Sequence, residues 1–247
     1  YLARSVCRSC SHCTLGQVLL VGTLEGSGRL WEAQQEAEEA YAGFDGDEAL
    51  GMLLARVYAR RGKQAEAEYT LRALIRTSSG GGATGGGATG GGSRSRSAVA
   101  LEGMQAALAH KQEGNRHYSA GDHERAAAAY SAALEADTAG MLTPTLLANR
   151  AQARLSGERF AEALSDCDGA IALDAGSAKL HLRRAACLVA LKQPGKAKHD
   201  YEAVLRLDPT NEQARAFVDR QDRDEKRKAA RGEAASGFGG AFGGGRA

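Results

Sequence analysis

Small and apolar residues recur at matching positions along the second half of the chain. The recurrence divides this half into three stretches, 107–140, 144–177 and 178–211. Each stretch predicts two short helices joined by a turn, which in the first stretch falls at Gly121-Asp122. The matching small positions are Ala126, Ala163 and Ala197, and the matching larger ones are Tyr130, Cys167 and Tyr201.

The spacing of these matches indicates the kind of repeat. Ala163 and Ala197 are 34 residues apart, and a helix–turn–helix unit of 34 residues is the signature of tetratricopeptide repeats. Ala126 and Ala163 are 37 residues apart, so three extra residues lengthen the loop ADTAGMLTP between the first two copies. The alanines let paired helices approach closely, and the larger residues fill the stacked core. The pattern therefore predicts an all-α superhelix of tetratricopeptide hairpins.

The first half of the chain repeats less clearly. Residues 48–81 fit one more copy, and LWEAQQEAEEAY at 30–41 looks like the second helix of an earlier one. The residues that fit the copy are Leu54, Ala55, Tyr58, Gly62, Ala67, Leu71 and Leu74. Because about three stacked copies are needed for stability, we interpret 30–76 as a partial module of a longer array. Residues 1–29 are an N-terminal stump that the pattern does not assign.

A glycine-rich stretch, residues 77–98, separates the two halves. Its composition predicts a disordered, flexible linker between the partial module and a three-repeat domain at 99–211. It contains a formal G-x-G-x-x-G match at Gly80, Gly82 and Gly85. No predicted strand precedes this match and no helix starts directly after it, and a dinucleotide site needs both. The match is therefore attributed to the glycine-rich composition.

Two segments follow the third copy. Asp208-Pro209 ends that copy, and the charge-rich residues 212–231 predict a helix that caps the open end of the array. The acids of this helix nearly balance its bases, which disfavours a nucleic-acid contact. Residues 232–247, GEAASGFGGAFGGGRA, are rich in glycine and are predicted to be disordered.

Composition narrows the class of protein. The chain has 247 residues and is 43% hydrophobic but only 5% aromatic, which suits stacked helices better than a β-sandwich. Its formal net charge of +2 does not indicate a domain that coats nucleic acid. The longest apolar run, VLLV at 18–21, is too short to span a bilayer.

The cysteines indicate a compartment. The chain has only five, an odd number, which disfavours a disulfide framework and favours a reducing, cytoplasmic compartment. The first residue is Tyr1, so the chain is interpreted as a fragment or a processed product.

Five polar side chains occupy the first helices of the three copies: Lys111, Asn115, Asn149, Lys179 and Arg183. First helices line the concave groove of such an array, so these side chains are expected to converge on one surface. No acid stands four residues from any of them on the same helix face. Ammonium, guanidinium and amide groups are donors that suit a carboxylate ligand. The set therefore predicts a site for an acidic peptide.

The segments K-x-x-G-N, A-N-R and K-x-x-x-R-R-A, which contain these residues, resemble the carboxylate clamp of tetratricopeptide co-chaperones. That family includes the heat-shock organising protein and the DnaJ-type protein with tetratricopeptide repeats, and the two-module layout looks most like the latter. The resemblance implies that Lys111, Asn115 and Asn149 hold the terminal carboxylate of an EEVD peptide. It also implies that Lys179 and Arg183 hold acidic side chains of this peptide, which ends the 70-kDa and 90-kDa heat-shock chaperones. The chain lacks the His-Pro-Asp tripeptide of a J domain.

A second candidate site lies in CRSCSHC at residues 7–13. Cys7, Cys10 and Cys13, with His12, offer soft ligands for zinc, but a structural zinc site needs a second ligand pair some distance away. The other two cysteines, Cys167 and Cys187, fall at core positions of the repeats. We therefore assign no metal or cofactor, and a zinc- or thiol-dependent redox protein stays open as an alternative.

The sequence therefore predicts an adaptor rather than an enzyme. No H-E-x-x-H, Walker glycine loop or G-x-S-x-G motif occurs. The expected partners are heat-shock chaperone C-termini in the groove and a possible client or second protein on the N-terminal module, with no nucleic acid and no membrane. The alternative is a scaffold in a non-chaperone assembly that binds an internal acidic segment.

Overall fold

The computed structural model describes residues 14–43, 47–80 and 95–237, and in these ranges the chain is helical with no strand. The helices are α1 (Thr14–Gly26), α2 (Leu30–Gly43), α3 (Glu48–Arg60), α4 (Gln64–Gly80), α5 (Arg96–Ser119), α6 (His123–Ala136), α7 (Thr143–Ser156), α8 (Phe160–Leu173), α9 (Ala178–Ala190), α10 (Pro194–Leu207) and α11 (Glu212–Gly237). The predicted all-α fold class is confirmed.

Polar residues before several helices fix where they begin. The Asp47 carboxylate accepts from the Leu50 amide at 3.0 Å, and the Asp122 carboxylate accepts from the Arg125 amide at 3.0 Å. Each bond satisfies an amide that the first helical turn leaves without a backbone partner. The Ser95 hydroxyl does the same for α5, accepting from the Ala98 amide at 3.2 Å.

The helices stack as hairpins, and each packs mainly on its neighbours in sequence. The predicted close-approach positions Ala126, Ala163 and Ala197 are fully buried. The larger core positions Tyr130, Cys167 and Tyr201 are also buried, at the centres of successive hairpins. Because the repeats stack this way, the first helices α5, α7 and α9 follow one another along one side of the array.

The first half holds one element that the sequence pattern did not assign. Helix α1 falls within the stump at 1–29 and pairs with α2, so the earlier copy inferred from 30–41 has both of its helices. Val21, Leu24 and Leu54 contribute to the core that joins α1, α2 and α3.

The glycine-rich segment is shorter than predicted from composition. Helix α4 continues to Gly80 and α5 begins at Arg96, so both ends of the predicted 77–98 linker are helical. Serine, threonine and alanine continue a helix once its preceding turns are packed, which composition alone does not show. Residues 81–94, with most of the G-x-G-x-x-G match, lie outside the described residues.

Side chains from both halves share one core. Met104 of α5 is 1% exposed and lies in a cluster with Ala55 and Leu71 from the first half and with Ala133 and Leu146 from the second. The two predicted modules are therefore in contact. The bounds of the two modules stay a prediction from the sequence.

Two further boundaries differ at the C-terminal end. Helix α11 runs from Glu212 to Gly237, so the predicted cap at 212–231 extends into the first residues of the tail predicted to be disordered. Residues 238–247 lie outside the described residues, and so do Cys7, Cys10, Cys13 and His12 of the candidate metal motif.

Candidate functional site

Three of the five predicted side chains meet at one cavity between α7 and α9. Asn149 of α7 and Lys179 and Arg183 of α9 line a cavity of about 220 Å³. The two cations stand one helical turn apart, so they share a face of α9. The remaining wall consists of Pro144, Thr145, Ala148, Asp174, Ser177 and Leu180.

Arg183 is held in place by uncharged groups. Its Nε donates to Gln152 Oε1 at 3.0 Å and its Nη1 donates to the Ala148 carbonyl at 2.9 Å. Burial lowers the pKa of the Arg183 guanidinium, and no ion pair with an acid is formed in the described part of the chain. A guanidinium has five N–H donors, so donors remain for a ligand in the cavity.

Lys111 and Asn115 lie on α5, in the preceding hairpin. Lys111 is half-buried, and burial lowers the pKa of its ammonium group. Among the described residues neither Lys111 nor Lys179 forms an ion pair or side-chain hydrogen bond. A half-buried ammonium without a partner is stabilised by an anion, which restores the interactions that burial removes.

The orientation of Asn115 is set by a tyrosine. The Tyr130 hydroxyl donates to Asn115 Oδ1 at 2.7 Å, which leaves the amide N–H groups of this exposed side chain for a ligand. The Arg183 guanidinium acts to lower the pKa of the Tyr130 hydroxyl, while burial, the larger effect, raises it. Tyr130 is thus near both Asn115 of the α5 pair and Arg183 of the cavity.

Sequence reasoning missed the two residues that orient the set, Tyr130 and Gln152. Tyr130 was interpreted only as a core residue, and Gln152 was not singled out. One signal was present: Gln152 follows Asn149 by three positions, so the two side chains share a face of α7. The reach of Tyr130 to Asn115 depends on how two helices cross, which spacing does not give.

A buried ion cluster supports the back of α9. Asp200 of α10 is 2% exposed and accepts from Arg184 Nε at 2.9 Å, and His181 Nδ1 lies 3.1 Å from it. Burial by itself raises the pKa of the Asp200 carboxyl, but the bonds to His181 and Arg184 outweigh burial and the net shift is downward. The cluster fixes α9 on α10 and so fixes the direction in which Lys179 and Arg183 point.

The described ranges also bear on the metal-site, thiol and membrane alternatives. They contain no cluster of three or more groups able to hold a metal ion. Cys167 and Cys187 are buried free cysteines, as their repeat positions predicted. Within the same ranges no helix is long and apolar enough to cross a bilayer.

The described helices have the stacked-hairpin fold of tetratricopeptide repeats, and the first helices α5, α7 and α9 carry two lysines and an arginine, Lys111, Lys179 and Arg183, that form no ion pair. No protein-family profile matches the chain. RNA polymerase II-associated protein 3 of Xenopus laevis is 42% identical over 111 residues, which are 45% of this chain and 16% of that protein. The DnaJ homolog subfamily C member 7 homolog of Dictyostelium discoideum is 32% identical over 118 residues, 47% of this chain and 22% of that protein.

Two solved structures complete the comparison. The first tetratricopeptide domain of Spaghetti (RPAP3), bound to the HSP90 peptide SRMEEVD, is 35% identical and covers 50% of this chain and 98% of that one, with a TM-score of 0.45. The tetratricopeptide domain of P58(IPK) is 12% identical and covers 92% of this chain and 60% of that one, with a TM-score of 0.51. The second likeness shows the fold, and the DnaJ-type relative confirms the resemblance seen in the sequence. The chain spans about a sixth of the length of the first relatives it matches.

Proposed function

We propose that this protein is a tetratricopeptide adaptor that binds the acidic C-terminal EEVD peptides of 70-kDa and 90-kDa heat-shock chaperones. It acts by holding partners together rather than by catalysis. The site is the groove formed by α5, α7 and α9, and the ligand is an extended peptide with a free C-terminal carboxylate. End-carboxylate capture of this kind is a recurring mode of peptide recognition.

The observation that carries the proposal is the cavity shared by Asn149, Lys179 and Arg183. It collects two cations and a primary amide from two successive repeats. Asp174 is the one acid in its wall, and it forms no ion pair with either cation. Charge-assisted hydrogen bonds from such donors are among the strongest that proteins make.

The roles proposed within the groove are those that the clamp resemblance implies. Lys111 and Asn115 of α5, with Asn149 of α7, are proposed to receive the terminal carboxylate. Lys179 and Arg183 of α9 are proposed to receive the acidic side chains of the peptide. Because charges meet at a groove open to solvent, binding is expected to weaken as salt increases.

The proposed setting is the cytoplasm, where these chaperones are available as partners. The N-terminal hairpins α1–α4 are proposed to hold a client or a second protein. Bringing the two partners together on one chain is the proposed adaptor activity, with neither nucleic acid nor membrane as a ligand.

The testing experiment is a titration of the whole chain with a short peptide ending in EEVD and with the same peptide amidated at its C-terminus. The clamp requires the terminal carboxylate, so we expect the acid to bind and the amide to bind much more weakly. Equal binding would replace the clamp with a scaffold that holds internal acidic segments. Absence of binding to both would overturn the proposal.

Substitution of the cavity cations tests the residue assignment. Lys179→Ala or Arg183→Ala is expected to weaken peptide binding by roughly 1.5–3 kcal/mol, the range for hydrogen bonds to charged groups. Lys196→Ala, which removes an exposed lysine from α10, is the matched control and should leave affinity unchanged. Circular dichroism should show unchanged helicity in all three variants. Loss of helicity with loss of binding would make the cations structural.

A further inference from the structure

The turn between α1 and α2 rests on the turn between α8 and α9, far away in sequence. The Gly26 carbonyl, at the end of α1, accepts a hydrogen bond from the Ala175 amide at 3.3 Å. Next to this bond the backbones of Gly28 and Gly176 touch. The array therefore curves until its first hairpin meets the start of its last repeat.

Glycine is required on both sides of this contact. A Cβ built on Gly28 lies 2.5 Å from Gly176 Cα, and one built on Gly176 lies 2.8 Å from Gly28 Cα. Both distances are too short for any side chain. Gly28 also has a φ of 76°, which favours glycine for a separate reason.

The contact lies on the rim of the proposed peptide site. The α8–α9 turn supplies Asp174 and Ser177 to the wall of the cavity that holds Lys179 and Arg183. Lys179 is in the first turn of α9, directly after the residues that the α1–α2 turn covers. The first hairpin therefore lies against the turn that leads directly into Lys179.

The length of a ligand decides whether it reaches this rim. An extended peptide advances about 3.3 Å per residue, so a twelve-residue ligand reaches more than about 20 Å further than a five-residue ligand held at the same end. Under the proposed function these added residues lie upstream of the ones bound by Lys179, on the side of the groove where the α1–α2 turn meets the α8–α9 turn.

The contact is also weak enough to open. One backbone hydrogen bond joins the two described turns, beside the close approach of Gly28 and Gly176, and a single such bond contributes little net stability. The hairpin itself is held by a separate core in which Val21, Leu24 and Ala37 pack with Leu50 and Leu54 of α3. The turn can therefore lift from the rim while its helices stay folded.

We propose that the α1–α2 turn is a latch on the peptide groove, which long C-terminal ligands displace and short ones do not. The latch rests on the proposed function, because it presumes a peptide that ends at the clamp. It makes the N-terminal hairpin a length-dependent gate for chaperone tails.

Two glycine substitutions test the latch. Gly28→Val places a branched side chain against Gly176 and forces the turn away from the rim. Gly62→Val is the matched control, because Gly62 has almost the same φ, 77°, in the α3–α4 turn and a Cβ there meets nothing within 4 Å. Both variants carry the same backbone strain, and only the first disturbs the contact.

The measurements are the affinities of five-residue and twelve-residue peptides ending in EEVD for the three proteins, with hydrogen exchange at the Ala175 amide. We expect Gly28→Val to bind the twelve-residue peptide about fivefold more tightly and the five-residue peptide unchanged. The Ala175 amide should exchange faster in Gly28→Val than in the unaltered protein. In the unaltered protein, its exchange should become faster when the twelve-residue peptide is added and should not change with the five-residue peptide. Gly62→Val should behave as the unaltered protein does.

Equal affinities of each peptide for all three proteins would overturn the latch and leave the clamp intact. An equal gain for both peptides, or the same gain in Gly62→Val, would also overturn it. Failure of all three proteins to bind either peptide would remove the clamp and the latch together.

Discussion

At the scale of single residues, the groove combines burial with the absence of a counter-charge. Lys111 is half-buried with a lowered pKa, and Arg183, also half-buried, bonds to a carbonyl and an amide. Elsewhere in the described repeats, half-buried arginines such as Arg150 and Arg154 form ion pairs with Asp166. The same residue types are therefore paired where they support the fold and unpaired where a ligand is expected.

The lowered pKa of Lys111 predicts how binding changes with pH. A bound carboxylate favours the charged ammonium and raises its pKa, so the complex holds its proton more tightly than the free protein does. Affinity should therefore fall as pH rises through the alkaline range, beginning below the ordinary lysine value of about 10.4. Calorimetric titration from neutral to alkaline pH measures this fall.

The control for this prediction is Lys111→Arg, whose guanidinium stays charged throughout that range. Its affinity should depend less on pH than that of the unaltered protein. Coincident pH profiles would show that Lys111 does not contact the ligand.

Because the Tyr130 hydroxyl orients Asn115, we expect a substitution at Tyr130 to weaken peptide binding even though Tyr130 is not itself one of the five proposed clamp residues. Tyr130→Phe removes the hydroxyl that fixes the Asn115 amide and keeps the ring that packs on Gly114. We expect peptide affinity to fall by about 1 kcal/mol, the net contribution of one hydrogen bond. Tyr118→Phe removes a different hydroxyl, which lies 3.2 Å from Ser156 Oγ, and should leave affinity unchanged. Equal losses in both variants would mean that tyrosine hydroxyls affect the fold and not the site.

At the scale of elements, the lengthened loop between α6 and α7 is a structured connection. Asp137 is 5% exposed and accepts from the amides of Met141 and Leu142 at 2.8 Å each and from the Thr143 hydroxyl at 2.8 Å. Met141 and Leu142 in turn enter the core shared by both halves. The three extra residues therefore add buried contacts and fix the start of α7, the helix that carries Asn149.

Removal of the Asp137 carboxylate is expected to destabilise the protein. Asp137→Ala leaves two buried amides and a hydroxyl without an acceptor, which should lower the free energy of unfolding by about 3 kcal/mol. Asp208→Ala is the control, since Asp208 stands at the matching position before α11, where its carboxylate accepts from Thr210 and Asn211 in a more exposed loop. Urea denaturation followed by circular dichroism compares the two. Similar losses in both would show that the buried loop contacts contribute no more than an exposed cap.

At the scale of the whole molecule, α5 joins the two halves. It is the first helix of a repeat, and it runs for 24 residues where α7 and α9 have 14 and 13. Its N-terminal half carries Ala100 and Met104 into the core with α3 and α4, and its C-terminal half carries Lys111 and Asn115. One helix therefore links the packing of the first half to the proposed clamp.

Shared packing predicts that the two halves unfold together. Met104→Ala should lower stability by about 2–5 kcal/mol, the range for deleting a large buried apolar side chain. The only tryptophan, Trp31, lies on α2 and reports the first half, while circular dichroism reports all helices. We expect both signals to shift to the same lower urea midpoint.

The exposed Gln112→Ala on the same helix controls for changes in helix propensity and should shift neither signal. A shift in circular dichroism with the Trp31 transition unchanged would show that the halves are independent domains.

How much was predictable differed along the chain. The repeats at 107–211 were found because Ala126, Ala163 and Ala197 mark a fixed period. Helix α1 was missed because its residues do not match the first helices of the other copies. The sequence pattern identified only α2, the second helix of that hairpin. The ends of α4 and α5 were missed because a composition rich in serine and glycine does not show that the adjoining turns are packed, through residues such as Leu74 and Ala100.

The sequence by itself determined the fold class, the core alanines and the five candidate ligand-binding residues, because each depends on a spacing that one helix or one repeat fixes locally. Only the tertiary structure decided which of those five share a cavity and that Tyr130 and Gln152 orient them. It also decided that the α1–α2 turn rests on the rim beside Lys179. Those arrangements depend on the angles at which helices cross and on the curvature that accumulates over successive repeats. The spacing of residues within a single repeat determines neither.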